Sequence, residues 1–330
     1  MMREILTESK LDDEKRLKEI LAMSKSRLQM RFQSSGHSTA ALRAMSYFSP
    51  ISKLKDMTAG IQYYELIKEL EEHFDEHKDE LISNLYMLAK HLFRADNMMV
   101  SYTASKVGLA GLESLMHDFA EHLQGEKKEW GPCVIRCEKR NEGFQTSSKV
   151  QYVARVGNFV DEGLSYHGAL QILKVILSYD YLWQNVRVKG GAYGCMSNFT
   201  RLGDGYFMSY RDPNLEKTNE VYEGVVEYLK NFSANERDMT KYIIGTMGNI
   251  DQPMTPATKG DRSMNLYMNH VSEEIKYEER NQILNATEED IRGLADIVAA
   301  VLKNNFICVI GNEEKLEEQK ELFMELRSIF

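Results

Sequence analysis

The chain has 330 residues, 43% of them apolar and only 5 of them proline, which predicts about two folded domains and excludes a disordered chain. Lys and Arg total 41 against 50 Asp and Glu; the net charge of −9 leaves no basic surplus for phosphates, so nucleic acid is not the expected partner. The most apolar stretch, Gly168 to Trp183, is interrupted by Lys174 and Asp180 and is too short for ~30 Å of hydrocarbon, so no membrane is expected either.

The first residues, MMREILTESKLDDEKRLKEI, interleave acid and base without an apolar core, which reads as neither a signal nor a transit peptide and makes the cytoplasm the expected location. Asp12 to Ala22 is patterned as a helix, and Leu28 to Gln33 as a short extended or helical run. An Ala-rich helix then leads to Pro50. From Tyr63 to Phe93, Leu66, Ile67, Leu70, Phe74, Leu81, Leu85, Leu88 and Leu92 recur at helical spacing, with a break expected near the charged patch from Asp75 to Asp79. MMVSYTA, from Met98, reads as a buried strand and Val107 to Leu123 as an amphipathic helix.

Residues 124–132, polar and closed by Gly131 and Pro132, read as a linker between a mostly helical region, 1–123, and a second domain, 133–330. In the second domain strands are expected at Cys133 to Glu138, Val150 to Val156, Ala192 to Thr200, Gly205 to Tyr210 and Phe306 to Gly311. Helices are expected over Gly168 to Val186, Leu215 to Phe232, Ala234 to Ile250, between Thr258 and Leu302, and at the end of the chain. Strand pairs separated by runs of helices predict an α+β fold with a largely antiparallel sheet and helices on one face. The four cysteines (133, 137, 195 and 308) are too few for a disulfide framework and read as reduced, mostly buried thiols.

Three strings carry possible chemistry. His73-Phe-Asp-Glu76-His77 matches H-x-x-E-H, in which two imidazoles one helical turn apart can hold zinc and the glutamate can polarise a bound water. Its neighbours, Glu69-Leu-Glu-Glu and Lys78-Asp-Glu, are those of a solvated helix face, and no third ligand is marked out. Arg187-Val-Lys189-Gly190-Gly191-Ala-Tyr193-Gly194 follows a long apolar helix; Arg187 and Lys189 suit the negative end of its dipole, and Gly190 is expected as a left-handed cap. Gly191, Gly194 and Tyr193 are left over by that account. Ser209-Tyr-Arg-Asp-Pro-Asn214 reads as a turn after a strand, and Gly245 and Gly248 as points of close helix packing.

R-V-K-G-G-A-Y-G, S-Y-R-D-P-N and I-I-G-T-M-G-N-I-D-Q-P-M-T-P-A-T-K-G, in this order, together resemble the C-terminal part of the presequence-protease subfamily of pitrilysin/insulinase-type metallopeptidases. Ser35 to Pro50 resembles the same subfamily's third domain. The resemblance implies two related α+β domains, the first incomplete and mostly helical, forming the C-terminal half of a clamshell that closes over unfolded peptides. It further implies that zinc is held by a partner, the N-terminal half, and that none is bound to this chain. Arg187 and Tyr193 would then be the pair reaching the substrate across the chamber, with Lys189, Gly190 and Gly191 lining the peptide. The alternatives are a non-catalytic scaffold or partner subunit of the same fold, and a self-contained zinc protease using His73, Glu76 and His77.

Overall fold

The computed structural model describes residues 2–123 and 125–330 and divides them into two compact units that interleave along the sequence. One unit gathers residues up to Arg27, Glu65–Val134 and Pro253–Ser272; the other gathers Leu28–Tyr64, Ile135–Gln252 and Glu273–Phe330. Packing thus groups the chain differently from the sequential division at 124–132. Residue 124 of that expected linker lies outside the described residues, and 125–132 form no regular element.

The first unit is helical. Phe74 is buried beneath the Lys18 ammonium, and Lys25 pairs with Glu71 and Glu72 at 2.9 and 3.0 Å. The helix break expected near Asp75 falls at His73, between helices Ile61–Glu72 and Phe74–Leu92. MMVSYTA forms no strand: Met99, Val100 and Tyr102 are about half exposed, and the described residues of this unit offer no strand to pair with, without which a lone extended segment is not stable.

The second unit is built on one mixed sheet. Its strands are β1 (Glu142–Thr146), β2 (Tyr152–Asn158), β3 (Gly194–Phe199), β4 (Asp204–Tyr210), β5 (Phe306–Asn312) and β6 (Glu325–Ser328), in the order β3-β4-β2-β5-β1-β6. The β3/β4, β4/β2 and β2/β5 pairs are antiparallel, and β1 pairs parallel with β5 and β6. On one face Val153, Phe207, Ile307 and Val309 meet the apolar sides of helices Ala169–Ile176, Val225–Lys230 and Ala295–Lys303. β2 lies third in the order and is buried on both faces from Tyr152 to Gly157; the one charge in that run, Arg155, is itself buried and donates to Asn219 and the Leu302 carbonyl at 2.6 and 3.2 Å.

A second strand expectation fails as well. Cys133–Glu138 has no regular structure, and Val134 is 78% exposed; the strand of this region is β1, displaced past the charges Glu138, Lys139 and Arg140. Cys133 is accordingly exposed and Cys137 and Cys195 half-buried, leaving Cys308 as the fully buried thiol. The expected terminal helix shrinks to Glu313–Glu318, after which β6 joins the sheet, with Leu326 seated at Gly143. Gly248 meets open space and Gly245 only ordinary contact, so neither marks the tight helix packing expected of them.

The second sheet face is covered by the segment 28–64, all of which sequence order had grouped with the helical region. The helix Glu14–Met45 kinks at Ser35, and the part beyond it carries Ala40 and Ala44, both fully buried. Arg43 grips Glu142 with Nε and Nη2 at 2.6 and 2.8 Å and gives Nη1 to Asp56 at 2.6 Å. The Tyr47 hydroxyl and Arg327 complete the carboxylate's shell at 3.1 and 3.0 Å. Burial opposes ionisation of Glu142, but Arg43 and Arg327 outweigh it and hold the carboxyl below its ordinary range. Pro50 stands at the start of the next helix, Pro50–Ala59, capped by the Ser49 hydroxyl; the preceding helix has ended at Met45.

Candidate functional site

The long helix after Gly168 does not run as a regular α-helix to its end. Beyond Ile176 it widens into π turns at Leu177–Tyr181 and Trp183–Val188, and the Lys189 N–H reaches back five residues to the Gln184 carbonyl at 2.9 Å. Such widenings are uncommon and are often found at functional sites. The chain then turns sharply: the Gly191 and Ala192 N–H groups donate to the carbonyls of Arg187 and Val186 at 2.9 and 3.1 Å. The left-handed residue is Gly191, with φ of 81°, and not Gly190, which is needed for a different reason: a Cβ there would collide with the Val186 carbonyl oxygen. The turn delivers Tyr193 to the residue just before β3, the edge strand, where its N–H is anchored to the Tyr210 carbonyl at 3.0 Å.

This geometry brings Arg187 and Tyr193 together. The guanidinium lies 4.0 Å from the centre of the Trp183 ring, one turn back, and 5.8 Å from that of Tyr193. Among the described residues it has no carboxylate partner. Tyr193 is 66% exposed and packs edge-on against Tyr210 at 5.7 Å, with no partner for its hydroxyl among those residues. Tyr210 in turn touches His37 at 4.9 Å and Tyr152 at 5.7 Å, and the Arg211 guanidinium lies 5.5 Å from its ring. The result is a row of rings with two guanidinium groups at the free end of the sheet. It supplies directional donors and flat apolar faces. It contains no activated nucleophile, since burial pushes the nearby Cys195 thiol up to about 11.

Lys189, grouped with this pair in the sequence reading, goes elsewhere. Its ammonium donates to Asn185 Oδ1 at 3.1 Å and lines a cavity of about 430 Å³ with Gly190, Asn214 and Lys217. Trp183, Tyr210, Arg211 and His37 were missed as neighbours of the pair. Trp183 had a legible signal, four residues before Arg187 on one helix face; His37 had none, being brought in by the fold from more than a hundred residues away.

The H-x-x-E-H string does not assemble a metal site. His73 is the residue preceding helix Phe74–Leu92, so it and His77 do not share a continuous helix. His73 Nδ1 faces Glu76 at 3.5 Å and His77 Nε2 faces Glu69 at 3.6 Å, so each imidazole has a different carboxylate neighbour. Among the described residues no group of three or more His, Cys, Asp or Glu is placed to hold a metal ion.

Similarity to known proteins accords with this architecture. A family model described as the PreP C-terminal domain matches residues 141–313, more than half of the chain, and a second model, of a peptidase-associated region, matches 1–70. The chain is 37% identical to protein HypA of Clostridium perfringens over 339 aligned positions, covering all of this chain and 34% of that one. It is 28% identical to presequence protease 1, chloroplastic/mitochondrial, of Arabidopsis thaliana, covering 96% of this chain and 30% of that one. The chain therefore spans about a third of the length of these curated relatives. Among solved structures, pitrilysin superposes with a TM-score of 0.55 over 92% of this chain and 32% of its own, at 14% identity. A conserved protein from Enterococcus faecalis gives 0.55 over 91% and 68%, at 15% identity; both likenesses establish the fold. The chain belongs to the presequence-protease family of peptidases, in the place of that family's C-terminal domain.

Proposed function

We propose that the chain is the C-terminal, substrate-binding half of a zinc metallopeptidase that degrades short, unstructured peptides in the cytoplasm. In this reading an N-terminal half is its partner and contributes the zinc and the general base; in support, the described residues gather no group of three or more metal-ligating side chains. The observation that carries the proposal is the Arg187–Tyr193 pair: a guanidinium held over two rings, beside an exposed phenol, with neither a counter-ion for the one nor a hydrogen-bond partner for the other among the described residues. Groups left unsatisfied at a surface are available to a ligand, and charge-assisted forks suit peptide carbonyls and carboxylates. Arg187 grips the peptide, while the Tyr193 hydroxyl donates to the oxyanion that develops on the scissile carbonyl. Trp183 and Tyr210 hold both groups in place.

The test is Tyr193→Phe in the enzyme reconstituted with its N-terminal half. Turnover falls by ~10²-fold with KM little changed if the hydroxyl acts mainly in the transition state. Intact turnover refutes the assignment.

A further inference from the structure

The turn after β4 is built to hold the residues that carry Arg187 and Tyr193. Asp212 is fully buried, and its carboxylate accepts the Asn214 N–H at 2.9 Å and the Thr218 hydroxyl at 2.7 Å. Its own N–H and carbonyl form a two-way bridge to Gln151 at 2.9 and 2.7 Å, fixing it to the start of β2. Arg211, between the end of β4 and Asp212, is held at φ of 49°, a left-handed conformation that a long side chain seldom adopts. From the backbone so braced, the Asn214 Nδ2 donates to the Gly190 carbonyl at 2.6 Å. Pro213 lies against Gly191. The glycine turn is thereby clamped from outside at the carbonyl between Lys189 and Gly191, while the Tyr193 N–H is clamped by the carbonyls of Tyr210 and Arg211 at 3.0 and 3.3 Å.

We infer that Asn214, braced by Asp212 and Thr218, is a positioning residue that fixes Arg187 and Tyr193 against each other. The inference rests on the reading of that pair as the working groups. The mechanical reason is that glycines relax in the absence of an external hold: Gly190 and Gly191 are the most permissive link between the helix and β3, and a turn that can relax displaces a phenol by more than a hydrogen bond tolerates. A type I turn needs none of the Asn214 side-chain geometry, so local turn chemistry alone leaves the amide contact unexplained.

The decisive measurement is amide hydrogen exchange on the full 330-residue chain, because the Lys189, Gly191, Ala192 and Tyr193 N–H groups are all hydrogen-bonded in the clamped turn. In Asn214→Ala these amides exchange roughly tenfold faster, while Val153 and Val309 in the central strands keep their protection. Asn214→Asp, which keeps the shape but turns an acceptor toward the Gly190 carbonyl, is at least as fast. Unchanged exchange in the turn overturns the inference, as does equal acceleration of turn and sheet. Should Asn214 variants fold poorly, Thr218→Val removes one brace and is expected to loosen the same four amides to a smaller degree. In the reconstituted enzyme Asn214→Ala lowers kcat more than it raises KM, and the loss disappears in a Tyr193→Phe background if Asn214 acts through Tyr193. A persistent loss in that background overturns the positioning role. A loosened turn with unaltered turnover instead leaves the clamp standing and refutes the function proposed for the pair.

Discussion

Two arginines of the sheet-bearing unit occupy opposite chemical states. Arg43 is buried and fully engaged, its fork spent on Glu142 and Asp56; Arg187 is partly exposed and has rings but, among the described residues, no anion around it. A third case completes the contrast: His73 and His77, which match the most recognisable motif in the chain, are flanked by Glu76 and Glu69 on an exposed helical surface. A charge with its partner in the same chain holds structure together, whereas a charge left without one, and held in position by stacking, is available to something else. Satisfaction of the group separates the three, and motif likeness does not.

The largest expected effect follows from Arg43. Arg43→Met strands Asp56 and half of Glu142 without a counter-ion, and loss of one partner of a buried pair costs about 3–5 kcal/mol. Urea unfolding reads this directly, and a midpoint close to that of the parent chain would place Arg43 with the dispensable surface charges. Arg187→Ala, in contrast, leaves the unfolding midpoint almost unaltered, since it removes a helix-end cation worth ~0.3–1 kcal/mol, but raises KM in the reconstituted enzyme. Equal losses of stability and activity in Arg187→Ala would erase the difference between the two arginines.

Acid sharpens the same comparison. Glu142 is held below its ordinary value in the folded chain, so the unfolded state binds the proton more readily. Its stabilising contribution is present above the unfolded carboxylate value of about 4.3 and is lost as pH falls through the lower folded one. Thermal stability followed downward from pH 5 therefore drops, and Glu142→Gln flattens that part of the curve; an equally steep acid limb in the variant contradicts the assignment. The smallest effect is expected at the histidines: His77→Ala alters neither the melting temperature nor the metal content of the isolated chain. One zinc per chain by elemental analysis, lost in that variant, would reverse the ranking of the two motifs.

What the residues announced and what they could not follows from the range of the interactions. The α+β class, the long helices of the first unit and strands β2 to β5 were legible from local periodicity, because apolar spacing and turn residues act over a few positions; the short helix Met2–Thr7 was not. The pair Arg187 and Tyr193 was legible too, since six residues and one turn connect them. β1 and β6 were not: Glu142–Thr146 and Glu325–Ser328 carry little apolar alternation and are strands because each finds a parallel neighbour far along the chain. The same holds for the segment 28–64, whose place on the sheet is set by Arg43 meeting Glu142, 99 positions away, and for Tyr210 beside His37. The clamp from Asn214 to Gly190 spans 24 positions, and nothing in a turn-like string says which carbonyl its amide will meet. Sequence fixes the local conformational menu and the groups available for chemistry; which of those groups find partners, and which remain free to act, is decided only when distant strands pair.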